Sequence, residues 1–87
     1  MTEDARNISG EVKRYILSEF LPGSPDDEID ESTPLMTGGV LDSISTIKLV
    51  SFLENRFGVR FDAHELDDEH LDTLARITAT VQAKLKK

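Results

Sequence analysis

The stretch Gly38-Gly39-Val40-Leu41-Asp42-Ser43 does most to limit what this chain can become. Two adjacent glycines give a flexible or φ-positive approach. Asp42 and Ser43 are both good N-cap residues, and a helix-period segment from Ile44 to Phe57 follows them. A serine hydroxyl therefore stands at the mouth of a helix, beside a carboxylate and behind a pliable loop. Helix starts present free N–H groups and partial positive charge, so a phosphate on such a serine would be favourably placed. On local sequence alone, helix capping by Asp42 or Ser43 is the simpler account of the pair.

The rest of the chain reads as helices around one small core. Residues 3–20 predict a first helix: Ile8, Val12, Ile16 and Phe20 recur at i, i+4, with Tyr15 beside them and Thr2 as a candidate N-cap. Gly10 weakens that helix slightly, and Leu21-Pro22-Gly23-Ser24-Pro25 ends it. Residues 22–41 then form a loop of about twenty residues, a length that calls for a task or for packing of its own. Its apolar anchors are Ile29, Leu35, Met36, Val40 and Leu41, and Pro34 opens a short turn. In the second helix Ile47, Val50, Leu53 and Phe57 make one stripe, widened by Leu49, that is predicted to face the core. Ile44 lies one turn before it and either packs under the loop or stays at the surface.

Gly58 suits the C′ position of the second helix. Val59-Arg60-Phe61 is too short for a sheet, and Phe61 is expected to anchor the connection. Asp62 caps a short helical piece over Ala63-His64-Glu65-Leu66, and Asp67 to Leu71 make a further turn. Asp72 or Thr73 then caps a final helix with an apolar stripe of Leu74, Ile77, Val81 and Leu85. Lys84, Lys86 and Lys87 complement the negative end of that helix.

Composition narrows the function classes. A chain of 87 residues predicts a single domain spanning 1–87. At 38% hydrophobic content and with no tryptophan, a bundle of three or four helices is the natural way to close its core, with no room for a deep active-site cleft. The absence of cysteine excludes disulfides, cysteine-ligated metal and a cysteine nucleophile. No apolar run approaches the ~20 residues of a membrane span, and the N-terminus lacks signal-peptide character. The cytoplasm is the default expectation.

Asp26-Asp27-Glu28-Ile29-Asp30-Glu31 lacks the ligand spacing and central glycine of a calcium loop and reads as a solvated acidic loop. His64 and His70, six apart, suit neither helical metal spacing nor service to Ser43, and there is no Gly-x-Ser-x-Gly elbow. No catalytic and no metal-ligating residues are therefore expected. The net charge of −7 should repel nucleic acid. The acidic residues concentrate in 21–42 and 62–72, neither of which holds a lysine or arginine. Such a surface suits steering toward basic proteins, or simply keeps the chain in solution.

The run Leu41-Asp42-Ser43-Ile44-Ser45-Thr46-Ile47-Lys48-Leu49-Val50, continued by Leu53-Glu54-Asn55-Arg56-Phe57-Gly58-Val59, resembles the acyl and peptidyl carrier protein family. The resemblance extends over roughly residues 29–85. It implies an all-α, four-helix bundle, with three main helices, a short third one and a long loop between the first two. It also implies that Ser43 carries a covalent 4′-phosphopantetheine arm derived from coenzyme A, with Asp42 in support. The arm's thiol would hold cargo as a thioester. The protein itself would supply an attachment point, a tether and a recognisable surface. Implied partners are a phosphopantetheinyl transferase, an adenylating acyl or aminoacyl ligase or a synthase, and a downstream transferase. Val40, Ile44 and Lys48 are the expected docking residues, and a monomer is the simpler expectation.

The chain departs from carriers of fatty-acid synthesis, whose second helix is strongly acidic. Here the corresponding positions are Ser45, Lys48, Asn55 and Arg56, with Glu54 alone acidic. The longer acidic segment 61–73 is more similar to D-alanine carriers and other free-standing aminoacyl carriers. The expected function is thus that of a discrete carrier for an aminoacyl or specialised acyl group. A carrier of fatty-acid or polyketide synthesis is the alternative within the family, and an unmodified acidic interaction module the alternative outside it.

Overall fold

Ile8, Val12 and Ile16 are fully buried and form the inner face of the first helix, α1 (Ala5–Phe20). The computed structural model describes residues 5–25 and 28–85; Thr2, Asp26, Asp27, Lys86 and Lys87 lie outside them. Three more helices follow: α2 (Ser43–Phe57), α3 (Asp68–Leu71) and α4 (Leu74–Leu85), with a 3-10 turn (Ala63–Glu65) before α3. The described residues contain no strand. This is the expected all-α architecture of three main helices and a short third one.

α1 packs most extensively on α4, and Ile8, Val12 and Ile16 share one buried core with Leu74, Ile77 and Val81. It also crosses α2. Tyr15 stacks on Phe52 with ring centroids 4.2 Å apart, and its hydroxyl donates to the Lys48 carbonyl at 3.2 Å. Arg56 donates to Glu11 with both Nε and Nη2, each at 2.5 Å. Residues ascending α1 thus meet residues descending α2, and the two helices run antiparallel. α2 ends at Gly58, whose φ of +68° allows its N–H to reach the Glu54 carbonyl.

The segment after α2 is held by side chains of its neighbours. Phe61 N donates to Glu54 Oε2 at 2.9 Å, and the Phe61 ring packs against the core. Asp62 N donates to Glu65 Oε1. Lys84 does not merely end α4: its Nζ reaches both Glu65 oxygens, at 2.7 and 2.9 Å, and sits 4.9 Å from the Phe61 ring centre. Of the two expected caps for α4, Thr73 takes the part, accepting from Arg76 N at 3.1 Å. Asp72 does something else, described below.

One core assignment is corrected. Ile47 is 59% exposed, while Thr46 is buried beside Leu49, Val50, Leu53 and Phe57. At about 100° per residue, positions 46, 49, 50, 53 and 57 close a complete stripe, and 47 falls well outside it. Thr46 tolerates burial because its hydroxyl donates to the Asp42 carbonyl at 2.7 Å. Leu53→Ala should therefore cost about 2–5 kcal/mol in urea unfolding. Ile47→Ala should stay within about 0.5 kcal/mol of wild type. A comparable loss from both would restore Ile47 to the core.

α3 carries a pH-sensitive cap. Asp67 Oδ1 accepts from His70 N at 3.1 Å and lies 2.8 Å from His70 Nδ1. That side-chain hydrogen bond, with the charges of Asp67, Glu65 and Glu69, raises the His70 pKa above its ordinary value. A raised histidine contributes stability that is complete below the unfolded-state value. The contribution is lost as pH rises through the folded-state value. An NMR titration of the His70 ring should show a midpoint above 6.5, returning toward it in Asp67→Asn. An unchanged midpoint in that variant would show that the carboxylate is not the cause.

Candidate functional site

The approach to α2 is a turn that closes on itself. Leu35 and Leu41 are buried, and Leu41 N donates to the Leu35 carbonyl at 2.9 Å. Between them the two glycines have separate reasons. A Cβ on Gly38 would lie 2.2 Å from the Pro34 carbonyl oxygen, and Gly39 adopts φ +86°. A side chain is excluded at the first by contact and disfavoured at the second by backbone conformation.

Asp42 follows in extended conformation, with φ −91° and ψ −171°. Its Oδ1 accepts from Ser45 N at 2.8 Å, and its carbonyl accepts from Thr46 N at 2.9 Å. The helix cap is thus Asp42 and not Ser43. The Ser45 hydrogen bonds hold the Asp42 carboxyl below the usual aspartate value. Ser43 is the first residue of α2, and it is exposed. Its hydroxyl has no hydrogen-bond partner among the described residues, so capping does not account for it.

An open cleft of about 460 Å³ adjoins this serine, lined by Met36, Leu41, Asp42, Thr46, Ile47 and Leu66. Ile44, at 67% exposure, stands outside it on the same end of α2. Ile44, Ile47 and the exposed Lys48 occupy i, i+3 and i+4, and so share one outer face. Val40, at the end of the turn, is half-buried against the core. Of the expected docking residues, Ile44 and Lys48 therefore share the outer face of α2, while Val40 packs against the core two residues before the Asp42 cap. Ile47 joins Ile44 and Lys48, although its hydrophobicity pointed to the core. The usable signal was that Thr46, Leu49, Val50, Leu53 and Phe57 already complete an inner stripe.

Neither histidine lines the Ser43 cleft. His64 is exposed and His70 is engaged by Asp67. Among the described residues no group of three or more His, Asp or Glu is arranged to hold a metal ion. No helix among them is long and apolar enough to cross a membrane. The features that remain are a free hydroxyl at a helix start, an open cleft and an apolar collar.

Comparison with known proteins identifies the family. Residues 16–81 match the family described as phosphopantetheine attachment site. The D-alanyl carrier protein of Streptococcus sanguinis is 35% identical over 66 residues, which is 76% of this chain and 81% of that protein. The Streptococcus gordonii D-alanyl carrier protein matches to the same extent. The non-reducing polyketide synthase Preu6 of Preussia isomera is 33% identical over 72 residues, covering 83% of this chain but only 3% of the synthase. Among solved structures, a chain in the crystal structure of an FAD-dependent dehydrogenase superposes with a TM-score of 0.73 at 33% identity, covering 80% of this chain and 97% of that one. The chain belongs to the phosphopantetheine-attachment family, the carrier proteins that hold acyl or aminoacyl groups on a covalent 4′-phosphopantetheine arm.

Proposed function

We propose that Ser43 is the attachment residue and that residues 1–87 act as one non-catalytic carrier unit. The observation that carries this is the exposed Ser43 hydroxyl, without a partner among the described residues and directly behind the Asp42 cap. A phosphopantetheinyl transferase would join the Ser43 oxygen to the β-phosphorus of coenzyme A. The pyrophosphate bond breaks, adenosine 3′,5′-bisphosphate leaves, and the serine proton passes to a base of the transferase. When bound, the arm supplies a thiol that holds cargo as a thioester.

The chain's own residues then do three things. Asp42 fixes the start of α2, Ser43 anchors the tether, and the α2 surface identifies the carrier to its partners. Tethering raises the concentration of cargo that each partner meets. No residue near Ser43 is needed as acid or base. The protein would work as a monomer in the cytoplasm, where coenzyme A is at hand.

For the cargo, we favour an aminoacyl or specialised acyl group loaded by an adenylating ligase and passed to a downstream transferase. The supporting observations are the extensive match to D-alanyl carrier proteins and the cationic Lys48 on the outer face of α2. Two further settings each have an observation behind them. The polyketide synthase match supports a carrier of polyketide assembly. The neighbour from the FAD-dependent dehydrogenase structure is itself carrier-sized, since the match takes in 97% of it. That supports presentation of the cargo to a flavin enzyme.

Incubation with coenzyme A and a broad-specificity phosphopantetheinyl transferase should add one phosphopantetheine unit to the wild type and nothing to Ser43→Ala, read by intact mass. The same gain on Ser43→Ala would move the attachment elsewhere. No gain on folded apo protein would favour an unmodified interaction module.

The collar is tested by the same enzyme. Burying an isoleucine in a partner is worth about 1.5–3 kcal/mol, and each 1.4 kcal/mol is a factor of ten in affinity. Ile44→Asp should therefore lower kcat/KM for modification at least about tenfold without changing the midpoint of thermal unfolding. An unaltered kcat/KM would remove Ile44 from the docking face.

A further inference from the structure

The turn that leads to Ser43 is fastened to a point much later in the chain. Asp72, between α3 and α4, is buried at 9% exposure. Its Oδ1 accepts from Met36 N and from Thr37 N, each at 2.9 Å. The Thr37 hydroxyl donates to the same carboxylate, 3.2 Å from Oδ1 and 3.1 Å from Oδ2. The Asp72 carbonyl accepts from Leu35 N at 2.6 Å. One residue thus takes the N–H groups of Leu35, Met36 and Thr37 in succession. A second strap runs from Ala75 N to the Glu31 carbonyl at 3.2 Å.

Hydrogen bonds from Thr37 first, then from Met36, together with the nearby Arg76, hold the Asp72 carboxyl below the usual aspartate range despite its burial. Ionised Asp72 is therefore the normal state, and a charged acceptor binds N–H groups more strongly than a neutral one.

What Asp72 holds is not the helical core. It holds the segment whose Met36 and Leu41 line the Ser43 cleft and whose end places the Asp42 cap. We infer that Asp72 is a positioning residue for modification of Ser43, keeping the 35–41 turn in the one arrangement that the transferase reads. The inference rests on Ser43 being the attachment residue.

Its consequence is a particular split in the kinetics. If the turn is correctly placed only a fraction of the time, apparent affinity falls by that fraction, while the chemistry at bound Ser43 is untouched. Loss of the carboxylate charge should raise KM for the carrier and leave kcat alone. A residue that only stabilises the fold would leave both unchanged wherever the chain is folded.

The test measures transferase kinetics and amide hydrogen exchange on wild type, Asp72→Asn, Thr37→Val and Thr37→Ser. For Asp72→Asn we expect KM to rise about tenfold at constant kcat. Met36 and Thr37 amides should exchange faster while those of α1 and α4 stay protected. Thr37→Val should raise KM by a smaller factor, and Thr37→Ser, which restores the hydroxyl, should match wild type. Faster exchange at Met36 and Thr37 with an unchanged KM would overturn the inference, because the turn would then not be read. So would a KM that rises only as much as the population of globally unfolded chain. If Asp72→Asn does not fold, equal KM values for Thr37→Val and Thr37→Ser would overturn it. The attachment reading fails separately, by a wild type that takes no arm at Ser43.

Discussion

Among its described residues the connection between α1 and α2 has no long helix or strand, and burial of three side chains keeps it in place. Ile29, Leu35 and Leu41 are at most 3% exposed, in the same core as the inner faces of α1, α2 and α4. Burying each is worth about 1.5–3 kcal/mol, enough to offset part of the ordering cost of the residues between them. The price is a set of backbone N–H groups drawn inward without a ladder to satisfy them. Asp72 and the Leu35 carbonyl take that place, while the Glu31 carbonyl accepts in turn from Ala75 N of α4. Position and polarity of the site thus follow from one requirement, the fastening of a long irregular segment.

α2 meets two demands at once. Its inner stripe closes the core with Thr46, Leu49, Val50, Leu53 and Phe57. Its outer face keeps Ile44 and Ile47 in water, the described residues' two exposed large hydrophobic side chains. Exposed aliphatic groups contribute little to stability, so their clustering beside the cleft is not explained by the fold, and the docking role proposed above would explain it. Thr46 shows how the two demands are reconciled. A polar residue is drawn inward because the Asp42 carbonyl satisfies its hydroxyl. The larger apolar neighbour is left outside.

Local rules made much of this legible. The i, i+4 series Ile8, Val12 and Ile16, the Gly58 stop and the Asp42–Ser43 start all depend on residues within one or two turns of each other. The structure places them as expected. What stayed hidden depends on distant partners. Hydropathy alone put Ile47 in the core, since it cannot weigh a threonine whose hydroxyl bonds back along the helix. Asp72 read, with Thr73, as one of two candidate helix caps because capping is what an aspartate does locally. Its actual partners are Met36 and Thr37, far back in the chain. The same limit applies to Lys84, whose role at a helix end was legible and whose bond to Glu65 was not.

The charge pattern of the α2 surface changes meaning once the pairs are known. Arg56 stands among the basic positions that set this chain apart from carriers with an acidic second helix, but it is engaged by Glu11 of α1. An exposed ion pair of that kind adds at most about 1 kcal/mol to the fold, yet it places the guanidinium against α1 and partly neutralises it as a signal. Lys48 differs. It extends from the face that carries Ile44 and Ile47, one helical turn on from Ile44. A partner able to cover that face must meet two aliphatic side chains and a cation together. An apolar pocket with an acidic edge satisfies both, and a basic patch does not. If α2 is the docking face proposed above, Lys48 and its apolar neighbours weigh more in the choice of partner than the overall negative charge of the chain.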